Sequence, residues 1–119
     1  MLPKKNRIDK KLVEKIFKEG KFVNSSNLTL KFVKKETGFP QIAFITPKTV
    51  SKRAVDRNLL RRRGYGALSK YIHLLPVNIV GAFVFGKKGM EFFGGRKNKT
   101  KNPIQNLENE IQKILSKIN

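Results

Sequence analysis

Nine consecutive residues, Val77-Asn78-Ile79-Val80-Gly81-Ala82-Phe83-Val84-Phe85, carry a single polar side chain and none of the alternation that a strand with one wet face would show. A membrane-spanning helix needs about 20 apolar residues, so this run is too short to cross a bilayer. Its β-branched, nearly continuous character suits an interior strand covered on both faces, and it is expected to be the central one. The other residues must then supply the cover. The chain has 119 residues, 39% of them hydrophobic and 9 of them Phe. That is enough for one core, since a domain near this size hides roughly two thirds of its unfolded surface. A single domain over residues 1–119 is the expected organisation.

The flanking patterns identify the cover. Asp9 caps a first helix, Lys10–Glu19, with Leu12, Val13, Ile16 and Phe17 on one face and Gly20 as its stop. After the polar pause at 24–27, residues 28–33 read as a strand in which Leu28, Leu30 and Phe32 alternate. Residues 41–46 read as a second strand, ended by Pro47, and the turn at 36–38 is expected to pair the two as an antiparallel hairpin. A helix over about 52–71 would bury Leu60, Gly64, Ala67 and Tyr71, while Arg53, Arg57 and Arg61 stack one turn apart on another face. Gly64 and Gly66 weaken it by about 1 kcal/mol each relative to Ala. Residues 86–102 carry six basic residues against Glu91 and are expected to form a mobile basic loop. Asn102 and Pro103 then open a last helix striped with Ile104, Leu107, Ile111, Ile114, Leu115 and Ile118. The order of helices and strands places the chain in the α+β class, with its helices packed on one sheet.

Charge narrows the function. Lys and Arg number 27 against 8 acids, a formal net charge of +19, where solubility alone asks for a magnitude of about 2 to 8. A surplus of that size is matched to a polyanion, RNA or DNA before an anionic membrane. The short first helix needs its apolar face for the core, which disfavours the membrane reading. The basic N-terminus lacks the apolar stretch of a signal peptide, and Cys is absent, so a reducing cytoplasm is the expected compartment.

The densest signal is 47–63, where seven basic residues meet one acid, Asp56. A guanidinium offers two parallel hydrogen bonds to phosphate and stacks on bases, so Arg53, Arg57, Arg61 and Arg62 on one helix suit a folded RNA backbone. Asn58 adds a neutral donor and acceptor. A second candidate surface combines Val13, Phe17 and Phe22 with nearby lysines, since apolar and aromatic groups beside cations receive single-stranded bases. Lys31 lies between core positions of its strand and should leave by the sheet's outer face. Catalytic constellations are thin. His73 is the only His, no metal-binding spacing occurs, the glycines make no phosphate loop, and the acids read as ion-pair partners of lysines, as in Glu14 with Lys18. No catalytic or metal-ligating residue is expected.

Ala54-Val55-Asp56-Arg57-Asn58, followed by Arg61-Arg62, resembles the signature of the bacterial ribonuclease P protein subunit, in which an arginine-asparagine-arginine motif begins a basic helix. Lys5-Asn6-Arg7-Ile8 resembles that family's basic N-terminal segment, and Val13 and Phe17 fall where its first helix carries two cleft residues. Residues 42–51 and 77–87 are similar to its strands and basic loop. Leu59 stands where the motif has its second arginine, and Tyr65 where a further arginine is usual. The resemblance implies a two-layer α/β sandwich, order αβββαβα, with a central sheet of about four strands and a left-handed βαβ crossover. It implies a subunit that cleaves nothing itself. A large catalytic RNA, using magnesium ions, removes the 5′ leader from precursor tRNA, and the protein binds no cofactor alone. Carried over, Arg57, Asn58, Arg61 and Arg62 would bind the catalytic RNA in a 1:1 ribonucleoprotein. Val13, Phe17, Phe22 and Lys31 would line a cleft for the leader, which Arg61 could also touch. A ribosomal or other structured-RNA-binding protein would explain the charge equally well, but not the pattern from Ala54 to Arg62.

Overall fold

The computed structural model describes residues 10–34, 40–75, 79–89, 93–94 and 102–118. In chain order the elements are α1 (Lys10–Glu19), β1 (Lys21–Asn24), β2 (Leu28–Lys34), β3 (Gln41–Ile45), α2 (Ala54–Ser69), a 3-10 turn (Ile72–Leu74), β4 (Ile79–Phe85) and α3 (Pro103–Ile118). The four strands form one mixed sheet in the order β1-β2-β4-β3, with β2 antiparallel to β1 and β4, and β3 parallel to β4. The order αβββαβα and the α+β class are thus as expected, and the described part of the apolar run, Ile79–Phe85, is an interior strand.

The expected hairpin between β2 and β3 does not form. β4 lies between them, because its side chains are apolar on both faces and every residue from Ile79 to Phe83 is buried. Only the slot with a strand on each side satisfies both its hydrogen-bonding edges and both its faces. The turn expected at 36–38 lies outside the described residues, as do Asp9, the basic segment 5–8 and the greater part of 86–102. β3, α2 and β4 form the crossover between parallel neighbours that the family resemblance anticipates.

Side chains alternate across the sheet. Leu28, Leu30, Ile42, Phe44, Ile79, Phe83 and Phe85 face one way and make the main core with Leu60, Ala67 and Leu68 of α2 and Leu107, Ile111, Ile114 and Leu115 of α3. These two helices form the second layer of the sandwich. Ala43, Val80 and Ala82 are buried on the other side of the strands, where α1 lies against β2 and β4 with Ile16 as its buried anchor. Burying each large aliphatic or aromatic side chain contributes about 1.5–3 kcal/mol.

Phe44 sets how close α2 lies to the sheet. Its ring stacks on Phe83 at 4.9 Å and meets the edge of Tyr65 at 5.0 Å. A Cβ placed on Gly64 would stand 2.5 Å from Phe44 Cδ1, so position 64 has room for hydrogen alone. Gly66, two residues on, faces open space. Helix α2 is shorter than the sequence suggests, and Tyr71 has left it for the following turn, still half-buried and donating from its hydroxyl to Glu108 at 3.0 Å.

The carboxylates serve tertiary contacts more than helical ion pairs. Glu110 of α3 accepts from Ser25 Oγ at 2.5 Å, from the Asn27 backbone N–H at 2.7 Å and from Asn27 Nδ2 at 3.0 Å, which ties the β1–β2 turn to the last helix. Glu108 pairs with Lys70 at 3.6 Å, whereas Glu14 and Lys18 are both exposed and do not pair with each other. Phe93, from the segment expected to be a mobile basic loop, is fully buried against Phe85, and Arg63 donates to the Phe93 and Gly94 carbonyls at 2.7 and 2.8 Å.

The two glycines of α2 should therefore respond in opposite directions. Gly66→Ala is expected to stabilise the fold by about 0.5–1 kcal/mol. Gly64→Ala is expected to destabilise it by about 1–3 kcal/mol through overpacking against Phe44. Urea unfolding of the two variants measures both.

Candidate nucleic-acid interface

The first surface is built on α2, and its seat is the loop before it. Thr46 Oγ1 donates to the Arg57 carbonyl at 3.4 Å, and Arg57 Nη1 donates to the Ser51 carbonyl at 2.9 Å. Arg53 stands at the N-cap and pairs with the buried carboxylate of Asp56 at 3.8 Å. An acid in the first turn also suits the positive end of the helix. Arg57 and Arg53 thus help to fix the start of α2, although Arg57 remains half-exposed and keeps other N–H groups to offer.

Further along, Asn58, Arg61 and Arg62 are exposed. Asn58 Oδ1 accepts from Arg61 Nη2, so one turn of the helix pre-orients a guanidinium and leaves the amide NH2 of Asn58 outward. With Val55, Phe44 and Tyr65 these residues line a groove of about 540 Å³ whose floor is apolar and whose rim is cationic. Val55 is 42% exposed beside the arginines, a feature that charge patterns alone do not flag.

The two departures from the motif have structural explanations. Tyr65 accepts the Phe44 backbone N–H at 3.2 Å, which satisfies a donor on the outer edge strand, so it closes the sheet where an arginine would reach outward. Leu59 faces a separate groove of about 410 Å³ between α2 and α3, where Ile104 and Ala67 also lie. Arg62 borders both grooves and stands on the ridge between them. Arg63, adjacent in sequence, is spent on the Phe93 and Gly94 carbonyls.

The second surface lies on the other face of the sheet. Phe22 of β1 and Lys31 of β2 are register partners, and Lys31 Nζ sits 4.7 Å from the centre of the Phe17 ring. Phe17 is 41% and Phe22 64% exposed, while Ile16, one residue from Phe17, is fully buried. Val13 is half-buried one turn before Phe17. The structure places Phe17, Phe22 and Lys31 together on the outer face, and Phe17 is a surface residue. His73 is exposed on the 3-10 turn. Among the described residues, no group of three or more His, Cys, Asp or Glu side chains could hold a metal ion, and no helix is long and apolar enough to cross a membrane.

An α+β sandwich with a cationic helix ridge on one side of its sheet and paired exposed phenyl groups around a lysine on the other has the makings of an RNA-binding protein. Similar solved structures include the RNase P protein from Thermotoga maritima, with TM-score 0.75, 19% identity, and coverage of 89% of this chain and 90% of that one. The RNase P protein of Staphylococcus aureus matches with TM-score 0.73 and 13% identity, over 95% of this chain and 94% of that one. No curated protein sequence matches. The family model for ribonuclease P matches residues 2–119, and the chain belongs to that family. Membership makes it a ribonuclease P holoenzyme subunit and implies association with ribonuclease P RNA and the tRNA substrate.

Adjacent residues of α1 should separate cleanly in stability. Ile16→Ala is expected to cost about 2–5 kcal/mol, as for a filled core site. Phe17→Ala should stay within about 1 kcal/mol of the parent, since its ring is largely exposed. Thermal melting of both variants is the measurement.

Proposed function

We propose that this chain, as the protein subunit, positions RNA for a catalytic RNA that hydrolyses the phosphodiester between the 5′ leader and mature tRNA. The observation that carries the reading is the separation of two unlike surfaces on one sheet. The ridge of Asn58, Arg61 and Arg62, with Arg57 and Arg53 at its base, offers forked donors suited to phosphates of a folded RNA. The face with Val13, Phe17, Phe22 and Lys31 offers rings and a cation suited to a single strand, which is the form of a leader.

Magnesium in this reading is bound by the catalytic RNA and supplies the activated water. The protein's own part is to neutralise crowded phosphates and thereby lower the metal-ion concentration at which the RNA folds and works. A 1:1 particle in the cytoplasm completes the proposal.

The test is reconstitution with a cognate catalytic RNA at low magnesium. Precursor cleavage is expected to rise strongly on adding the protein; no gain, together with co-purification with ribosomes at high salt, would favour a general structured-RNA-binding role instead. Arg62→Ala should weaken binding to the catalytic RNA and reduce the slope of log affinity against log salt by about 0.9, the value for one lost phosphate contact. Its melting temperature should not change, because Arg62 is exposed. Phe17→Ala should leave that affinity intact and narrow the preference for precursor over mature tRNA.

A further inference from the structure

A groove of about 580 Å³ opens at the end of the sheet where β4 finishes, on the β1 side and so across the sheet from the arginine ridge beside β3, between the β1–β2 turn, the residues after β4 and helix α3. Ser26 and Asn27, Lys88, and Asn106, Asn109, Glu110 and Lys113 line it. Its architecture is fixed by buried contacts. The Glu110 carboxylate takes three hydrogen bonds from Ser25 and Asn27, and Gly86 N–H donates to the Asn27 carbonyl at 2.9 Å, which holds Lys87 and Lys88 beside the turn. Lys117 Nζ donates to the Asn24 carbonyl at 2.8 Å and ties down the turn's other end.

The one carboxylate in the groove is engaged within the fold, and its two lysines are not. Both Glu110 oxygens are engaged with the turn, and Asn109 Oδ1 accepts from Gln105 Nε2 at 2.9 Å. Outward remain the ammonium groups of Lys88 and Lys113, both exposed and, among the described residues, paired with no carboxylate, and the amide NH2 of Asn109. A site that offers two cations and an amide NH2 around a carboxylate already held by the fold is complementary to an anion carrying several oxygens.

The position suggests which anion. β4 ends beside this groove at Phe85, paired with Leu28, while its neighbour β3 ends at Ile45, paired with Val84, and leads into Lys48, Lys52 and Arg53 ahead of α2. From β3 to β1 the sheet makes three inter-strand steps, about 14 Å at the usual spacing of about 4.8 Å. One RNA can bridge that width. We infer that the groove bounded by Lys88, Asn109 and Lys113 is a second RNA-backbone site, holding phosphates of the same catalytic RNA that the α2 ridge engages. The inference rests on the reading of this chain as an RNA-positioning subunit.

The experiment uses the full chain and the cognate catalytic RNA over a series of salt concentrations. Lys88→Gln/Lys113→Gln is expected to lose about 10- to 30-fold in affinity near 0.15 M salt and to lower the salt slope by about 1.4–1.8. The control, Lys21→Gln/Lys34→Gln, removes equal charge from exposed positions at the opposite end of the sheet and should move the slope much less. Because the chain has no cysteine, Gln112→Cys on exposed α3 accepts a single tethered iron chelate. It should cut the catalytic RNA at discrete backbone positions. A double variant indistinguishable from the control, or no tethered cleavage above free chelate, overturns the second site while leaving the holoenzyme reading intact. Wild-type protein that binds bulk RNA as tightly as the catalytic RNA overturns both.

Discussion

The Phe44 ring occupies the space that a side chain at position 64 would need, and the placement of α2 follows from that contact. Phe44 is held from below by Phe83 and Phe85 and from the side by Tyr65, with ring centres 4.9, 5.9 and 5.0 Å away. Well-packed interiors resist deformation, so a helix seated on such a cluster has one distance of approach. Leu60, Ala67 and Leu68 then point into the core, and the residues at 55, 58, 61 and 62 are directed out along the flank. The cationic ridge is rigid because the face behind it is closely packed. An RNA that meets it pays little to order the backbone of the helix, although the arginine side chains still lose rotamer freedom.

Charge in this molecule divides into two kinds. Arg63, Lys117, Lys70 and part of Arg57 are turned onto carbonyls or a carboxylate of the chain itself, while the buried acids Asp56, Glu108 and Glu110 are engaged by Arg53, by Lys70 and Tyr71, and by Ser25 and Asn27. These contacts join segments distant in sequence, as when Glu110 secures the β1–β2 turn. The second kind, Arg61, Arg62, Lys88 and Lys113, faces outward. Among the described residues three acids are buried and two, Glu14 and Glu19, exposed, so the surface is strongly positive, which costs stability through self-repulsion and raises the attraction for a polyanion.

The sequence made the elements legible and the pairing of strands only in part. The three α-helices of the described residues were visible from spacing, the last also from its Asn102-Pro103 start, and the interior position of β4 followed from a run with no polar face. The β2–β3 hairpin failed because a short turn between two strands is a local signal. The demand of β4 for two partners is a long-range one, and no periodicity reports it. β1 was obscure as a sequence pattern because Lys21, Phe22 and Asn24 are all exposed. For the candidate interfaces, alternation was enough to send Lys31 outward, and its grouping with Phe22 came from the family resemblance alone. Which arginines are free was not legible, since Arg62 and Arg63 are neighbours in a run of three and differ only in what the fold brings to them.

The replacement of two motif arginines shows the same division at work. Position 65 lies one turn beyond Arg61, at the border of the β3 edge, where an unpaired backbone N–H must find an acceptor or be left to water. An arginine has no acceptor to give, whereas a tyrosine hydroxyl accepts that proton and its ring adds to the aromatic cluster. Position 59 faces α3 and Ile104, where leucine covers apolar surface that a guanidinium would leave less well shielded. Both changes remove a cation and strengthen the support beneath the remaining ones. Binding strength in such a protein depends on where cations are held as well as on their number, because a charge on a fixed ridge needs less ordering when a phosphate arrives.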